Sequence, residues 1–168
     1  MNLLPIIRQV EAGDLRAVSE IDQAIFGPLA YPYFVIRQLF DVHQGEMLAL
    51  DDGERLLGYS IAVHSTTAGL GWFLSLGVMP EARGAGNGGR LARASLRELR
   101  RRGVERVLLS VKQTNIPAMR LYRRLGFTAV GEVDDYLGPG EGRQLLELDM
   151  RAGAWNRDGR IEVGGRLC

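Results

Sequence analysis

The chain has 168 residues, 46% of them hydrophobic and 24% charged, with a formal net charge of +1 and a pI near 7.9. That length fills one well-buried core and is short for two, while the near-neutral balance gives no reason to expect a nucleic acid or an anionic membrane as partner. The single cysteine, Cys168, excludes an intrachain disulfide and a cysteine-based metal site.

Residues 1–25 carry no basic stretch followed by an apolar core and a cleavage site, and no later run approaches the roughly 20 apolar residues that span a bilayer. A cytoplasmic protein is expected, as one domain over residues 1–150 with a tail or added edge strand over 151–168.

Residues 3–10 alternate as a first strand. Asp14 then stands at the cap of a helix whose apolar positions, Leu15, Val18, Ile21 and Ile25, recur at spacings of three and four. Phe26-Gly27-Pro28 ends it, and a connection rich in Pro and Tyr, with Tyr31 and Tyr33, leads to a short helix over 34–40. Residues 47–50 form a strand, Asp51-Asp52-Gly53 a hairpin turn, and 56–65 the returning strand. Residues 70–78 make the central strand. Antiparallel hairpins thus lead into a strand–loop–helix crossover, which predicts an α/β fold with a mixed, mostly antiparallel sheet flanked by helices.

After the central strand comes the densest glycine cluster, Arg83-Gly84-Ala85-Gly86-Asn87-Gly88-Gly89. Glycines at the mouth of a helix let backbone N–H groups converge on an anion, and the helix dipole favours negative charge there. The helix itself runs over 88–102, with Ala92, Leu96 and Leu99 on one face, Arg90, Arg93, Arg97 and Arg100 on the other, and Gly103 as its stop. A strand at 106–111 follows, parallel to the central one if the crossover is right-handed. Asn115 caps a helix with Pro117 in its first turn, and Gly126 closes that helix. Strands at 127–133 and 145–150 flank a polar loop over 134–143.

Gly84-x-Gly86-x-x-Gly89 matches a dinucleotide fingerprint, but residues 80–83 separate the strand from the glycines and the next strand ends at Ser110-Val111 with no acid to hold a ribose. Arg90-Leu91 stands where a P-loop needs Lys-Ser/Thr. A different pattern fits. Val78-Met79-Pro80 followed by Arg83-x-x-Gly86-x-Gly88, and then Asn115-x-x-Ala118-x-x-Leu121-Tyr122-x-x-x-Gly126-Phe127, resembles the two recurrent motifs of the GCN5-related N-acetyltransferase (GNAT) superfamily.

The resemblance implies a GNAT-like fold over residues 3–150 and transfer of acetyl from acetyl-CoA to a primary amine by direct attack, by a monomer or homodimer without metal, nucleic acid or membrane. It implies that the backbone of Leu76 and Val78 pairs with the pantetheine arm where the strands ending at Val78 and Val111 splay, and that Arg83, Gly84, Ala85, Gly86, Asn87 and Gly88 cradle the pyrophosphate. Asn115 becomes either a cofactor contact or only a helix cap. Tyr122 becomes the general acid: a phenol of pKa about 10 is a full donor at pH 7, and a thiolate leaving group gains from a hydrogen bond as charge develops. Otherwise its ring is core packing.

The base is where the chain departs from many relatives, which place a glutamate where Ser75 or Ser110 stands here. His64, Glu132, Asp134 and Asp135 are the remaining candidates. A weak base favours a low-pKa acceptor. At pH 7 an α-amine of pKa about 7.8 is neutral roughly one time in seven and a lysine of pKa about 10.4 about once in 2,500, a difference of about 3.5 kcal/mol. Tyr136 in the 134–143 loop, with the strand after it, is similar to the ribosomal-protein alanine N-acetyltransferase branch, where that loop and the first helix pair enclose a peptide N-terminus; Tyr31, Tyr33 and Tyr136 would be the walls here. The expected acceptor is a protein α-amine. The alternatives are a small-molecule amine (amino acid, polyamine or antibiotic) and a non-catalytic CoA-binding module.

Overall fold

The computed structural model describes residues 4–151; the tail expected around Trp155, Ile161 and Val163 lies outside the described residues. In chain order the elements are β1 (Ile6–Gln9), α1 (Leu15–Phe26), α2 (Tyr33–Val42), β2 (Met47–Asp51), β3 (Leu56–His64), β4 (Leu70–Val78), α3 (Asn87–Arg101), β5 (Arg106–Val111), α4 (Ile116–Arg124), β6 (Thr128–Val133) and β7 (Arg143–Asp149).

The seven strands form one mixed sheet in the order β1-β2-β3-β4-β5-β7-β6. β2 runs antiparallel to both β1 and β3, and β7 antiparallel to both β5 and β6. β4 and β5 are parallel, as a helical crossover requires. Among the described residues their register runs from Leu70↔Arg106 to Phe73↔Leu109, the first four positions of a nine-residue β4.

The chain divides into two compact units. The first comprises the residues up to Val63 with Ser75–Glu98. Its core joins Leu48, Leu50 and Leu57 to Ala82 and Leu91, with Ile7, Leu76, Val78 and Ala94 packed against them. Leu96 lies on the predicted apolar stripe, and it and Leu91 are fully buried, each contributing about 1.5–3 kcal/mol. A Ser60–Ser95 hydroxyl pair at 2.7 Å ties α3 to β3. Leu15, Val18 and Ile21 of α1 and Ile36 of α2 are also buried.

The second unit comprises His64–Leu74 and the chain from Leu99 onward. Val107 and Leu109 of β5, Leu146 and Leu148 of β7, Met119 and Tyr122 of α4, Leu125 and Phe127 are among its buried side chains.

Local differences from the expected elements have identifiable causes. Asp14 does not cap α1 with its side chain. Its carboxylate instead accepts the Glu11 N–H at 2.8 Å and the Arg8 guanidinium at 2.6 Å, and a short 3-10 turn leads into the helix. α2 starts one residue early because the Pro32 carbonyl takes the N–H groups of Val35 and Ile36. β7 begins at Arg143 because pairing with β6 continues through Gln144↔Glu132 and Arg143↔Val133.

Candidate active site

In the first unit β4 ends on half-buried Leu76 and Val78, which pack on the Leu48–Leu91 cluster. A 3-10 turn at Pro80–Ala82 follows, then the exposed stretch Arg83, Gly84, Ala85 and Gly86. Gly84 and Gly86 have φ of +82° and +76°, conformations that side chains rarely adopt, and no atom lies within 4 Å of where a Cβ would stand on either. The open side of this loop leaves room for a ligand. Asn87 braces it from below, buried, with Nδ2 donating to the Ala82 carbonyl at 2.9 Å and Oδ1 accepting from Arg90 Nη1 at 2.9 Å. The Arg90 N–H bonds the Gly86 carbonyl at 3.0 Å, so the N–H groups of Asn87, Gly88 and Gly89 precede the helix's own ladder. Arg83 Nε donates to the Val78 carbonyl at 2.8 Å. A carbonyl accepts two bonds, so that contact leaves a lone pair for a further partner.

On β4, Phe73, Ser75 and Gly77 alternate onto one buried face. Ser75 Oγ lies 2.7 Å from the Tyr59 hydroxyl of β3, which donates to the buried carboxylate of Asp22 on α1. The other Asp22 oxygen accepts the Tyr31 N–H at 2.6 Å, so the connection between α1 and α2 hangs from the same carboxylate. Burial raises the Asp22 pKa, with the Tyr59 and Tyr31 hydrogen bonds acting against it. Burial and the Asp22 charge push the Tyr59 phenol well above its usual range. The tight fit continues at Gly77, where a Cβ would sit 2.8 Å from Ile25 Cδ1 and 2.9 Å from Tyr59 Cε1. Tyr33 is exposed and lines a cavity of about 270 Å³ with Arg16, Ser19 and Glu20.

In the second unit Tyr122 is buried edge-on between Phe73, at 6.2 Å between ring centroids, and Phe127, at 5.6 Å. Burial alone raises its pKa, so the phenol is fully protonated at pH 7. Asn115 is exposed and its Oδ1 accepts the Ala118 N–H at 3.3 Å, as a helix cap does. Tyr136 sits in a loop whose turn is held by Asp135, at φ +54°, with its carboxylate accepting the Gly140 N–H at 2.6 Å. Glu132 and Asp134 line a cavity of about 190 Å³ with Lys112, Thr114 and Arg143. His64 is exposed at the end of β3, and Ser110 is half-buried on β5.

The acetyltransferase (GNAT) family model matches residues 15–127, about two thirds of the chain. The chain belongs to the GNAT acetyltransferase family. A mycothiol acetyltransferase of Pseudarthrobacter chlorophenolicus is 38% identical over 99 residues, which cover 56% of this chain and 30% of the relative. This chain therefore spans about a third of the length of that relative. N-alpha-acetyltransferase 30 of Schizosaccharomyces pombe is 34% identical over 116 residues, covering 66% of this chain and 77% of the relative. The solved ribosomal-protein-S18-alanine N-acetyltransferase of Escherichia coli has the same fold, with a TM-score of 0.75 at 22% identity over 98% of this chain and 99% of that one.

Two residues of this GNAT chain escaped the sequence reading, Asp22 and Tyr59. The signal for Asp22 was present: it stands among Leu15, Val18 and Ile25 on the apolar face of α1, where an acid has no business without a partner. Tyr59 carried no such mark, since its partners lie 37 and 16 residues away in sequence.

Proposed function

We propose that residues 1–150 act as one GNAT domain that transfers acetyl from acetyl-CoA to a protein N-terminal α-amine by direct attack. The observation that carries the reading is the Gly84–Gly86 loop at the head of α3, exposed, in positive φ and open where side chains would stand, at the end of a strand whose Leu76 and Val78 backbone would receive the pantetheine arm. In this reading Arg83 to Gly88 hold the pyrophosphate and Asn115 a further part of the cofactor. Tyr122, buried and protonated, donates its proton to the departing sulfur. Tyr31, Tyr33 and Tyr136 wall the peptide end. The protein works in the cytoplasm as a monomer or homodimer, with no metal, nucleic acid or membrane required.

The names of the relatives support an α-amine acceptor on one side, through N-alpha-acetyltransferase 30, and another acceptor on the other, through the mycothiol acetyltransferases. The second reading is accordingly a small-molecule amine. Thermal unfolding with CoA, acetyl-CoA or NAD tests the cofactor: CoA and acetyl-CoA should raise the midpoint, since a ligand at 100 times its Kd adds about 2.7 kcal/mol, and NAD should not. Stabilisation by NAD alone would remove the reading.

A further inference from the structure

We propose that Ser75, Tyr59 and Asp22 form a proton relay that deprotonates the incoming ammonium, with the Asp22 carboxylate as terminal acceptor. This rests on the proposed transfer of acetyl to an α-amine, with the acetyl-CoA arm along Leu76 and Val78 of β4.

Hydrogen-bond direction follows from the chemistry of the end group. An ionised carboxylate only accepts, so the Tyr59 hydroxyl must donate to Asp22. With its proton committed, the Tyr59 oxygen accepts from Ser75 at 2.7 Å. The Ser75 oxygen is left with lone pairs to accept from a third partner, and Ser75 lies on the face of β4 that also carries Gly77. All three side chains are at most 9% exposed, so the wire is shielded from competing water. Facing Asp22 are Tyr59 from β3, Ser75 of β4 through Tyr59, and Tyr31 from the α1–α2 connection; none of the causes that move its pKa is a cation. A carboxylate raised by burial is a stronger base than an exposed one, which suits it to receive a proton from an α-ammonium.

The step balances as follows. The ammonium proton passes to Ser75 Oγ as the Ser75 proton passes to Tyr59 and the Tyr59 proton to Asp22. The neutral nitrogen then attacks the thioester carbon; the C–N bond forms, the C–S bond breaks and its electron pair stays on sulfur. The second nitrogen proton reaches sulfur through Tyr122, which gives one proton and takes one. The products are the amide, the thiol and a neutral Asp22, which returns its proton through Tyr59 and Ser75 once the products have left.

The test is the pH dependence of kcat/KM for thiol release from acetyl-CoA with an α-amine peptide, in the wild type, Asp22→Asn and Tyr59→Phe, beside thermal midpoints. Asp22→Asn keeps the shape and an acceptor for the Tyr31 N–H but takes no proton. The wild type should be flat from the Asp22 titration up to the amine's own pKa, about 8. Both variants should instead rise tenfold per pH unit through that window, be down about 100-fold at pH 6, and rejoin the wild type above pH 8, where the amine arrives neutral. An unchanged KM for acetyl-CoA separates this from a structural effect. Wild-type turnover with flat profiles in both variants overturns the relay and leaves the proposed function standing; CoA stabilisation without wild-type turnover on any amine removes both.

Discussion

Two buried tyrosines of this chain share a residue type and differ in everything that surrounds them. Tyr122 lies between the rings of Phe73 and Phe127, and burial is the one cause of its raised pKa. Tyr59 is joined on one side to a serine and on the other to a carboxylate. An apolar cage keeps a phenol protonated and its proton available for a developing anion; a hydroxyl chain ending in a carboxylate moves a proton away from a cation. In the proposed reaction the same side chain therefore serves the acid side in one setting and the base side in the other.

The change expected to hit the cage hardest is Tyr122→Phe. It removes only an oxygen, so acetyl-CoA affinity should hold while kcat falls by about 100-fold or more, measured by single-turnover thiol release. Retained turnover would reduce Tyr122 to core packing and collapse the contrast.

Gly77→Ala probes the wired side. Its methyl would stand 2.9 Å from the Tyr59 ring, which two hydrogen bonds hold in place, so the clash cannot be relieved by a free rotation. Chemical denaturation should show a loss of about 1–3 kcal/mol, with kcat falling more than the KM for acetyl-CoA changes. Gly84→Ala serves as the comparison outside both regions: with φ at +82° and open space around it, it should cost about 1 kcal/mol in stability and weaken acetyl-CoA, leaving the pH profile unchanged.

The smallest effect separates titration of Asp22 from acid unfolding. Asp14 is held below the usual carboxylate range by the Arg8 guanidinium, at 2.6 Å, and by the Glu11 N–H. A depressed native pKa stabilises above the unfolded value and is lost as pH falls through the acid range below about 4. Arg8→Met should therefore lower stability by up to about 1 kcal/mol at pH 7, after solvent screening, with a shrinking deficit toward pH 3 in urea titrations and no change in the kinetic profile above pH 5.

Much of the fold was legible because its signals are local. The Ala92, Leu96 and Leu99 spacing gave α3 its buried face, Asn115 caps α4 as its position implied, and Gly103 and Gly126 take the positive φ at which α3 and α4 stop. The sheet class and the parallel β4–β5 pair followed from the order of hairpins and crossover. What stayed hidden is non-local. Ser75 read as a missing base, and only packing of α1 on β3 and β4 shows that its hydroxyl leads to Asp22. The apparent end of the last strand at Leu145 was likewise set by polarity, whereas pairing to β6 decides it at Arg143.

The most direct measurement is thiol release from acetyl-CoA over a library of peptide N-termini, with the product peptides mapped by tandem mass spectrometry. The expected result is acetyl on the α-nitrogen, with turnover favouring α-amines over lysine side chains. Acetyl on lysine side chains in preference to the α-nitrogen, or acetyl-CoA binding without any thiol release, would contradict it.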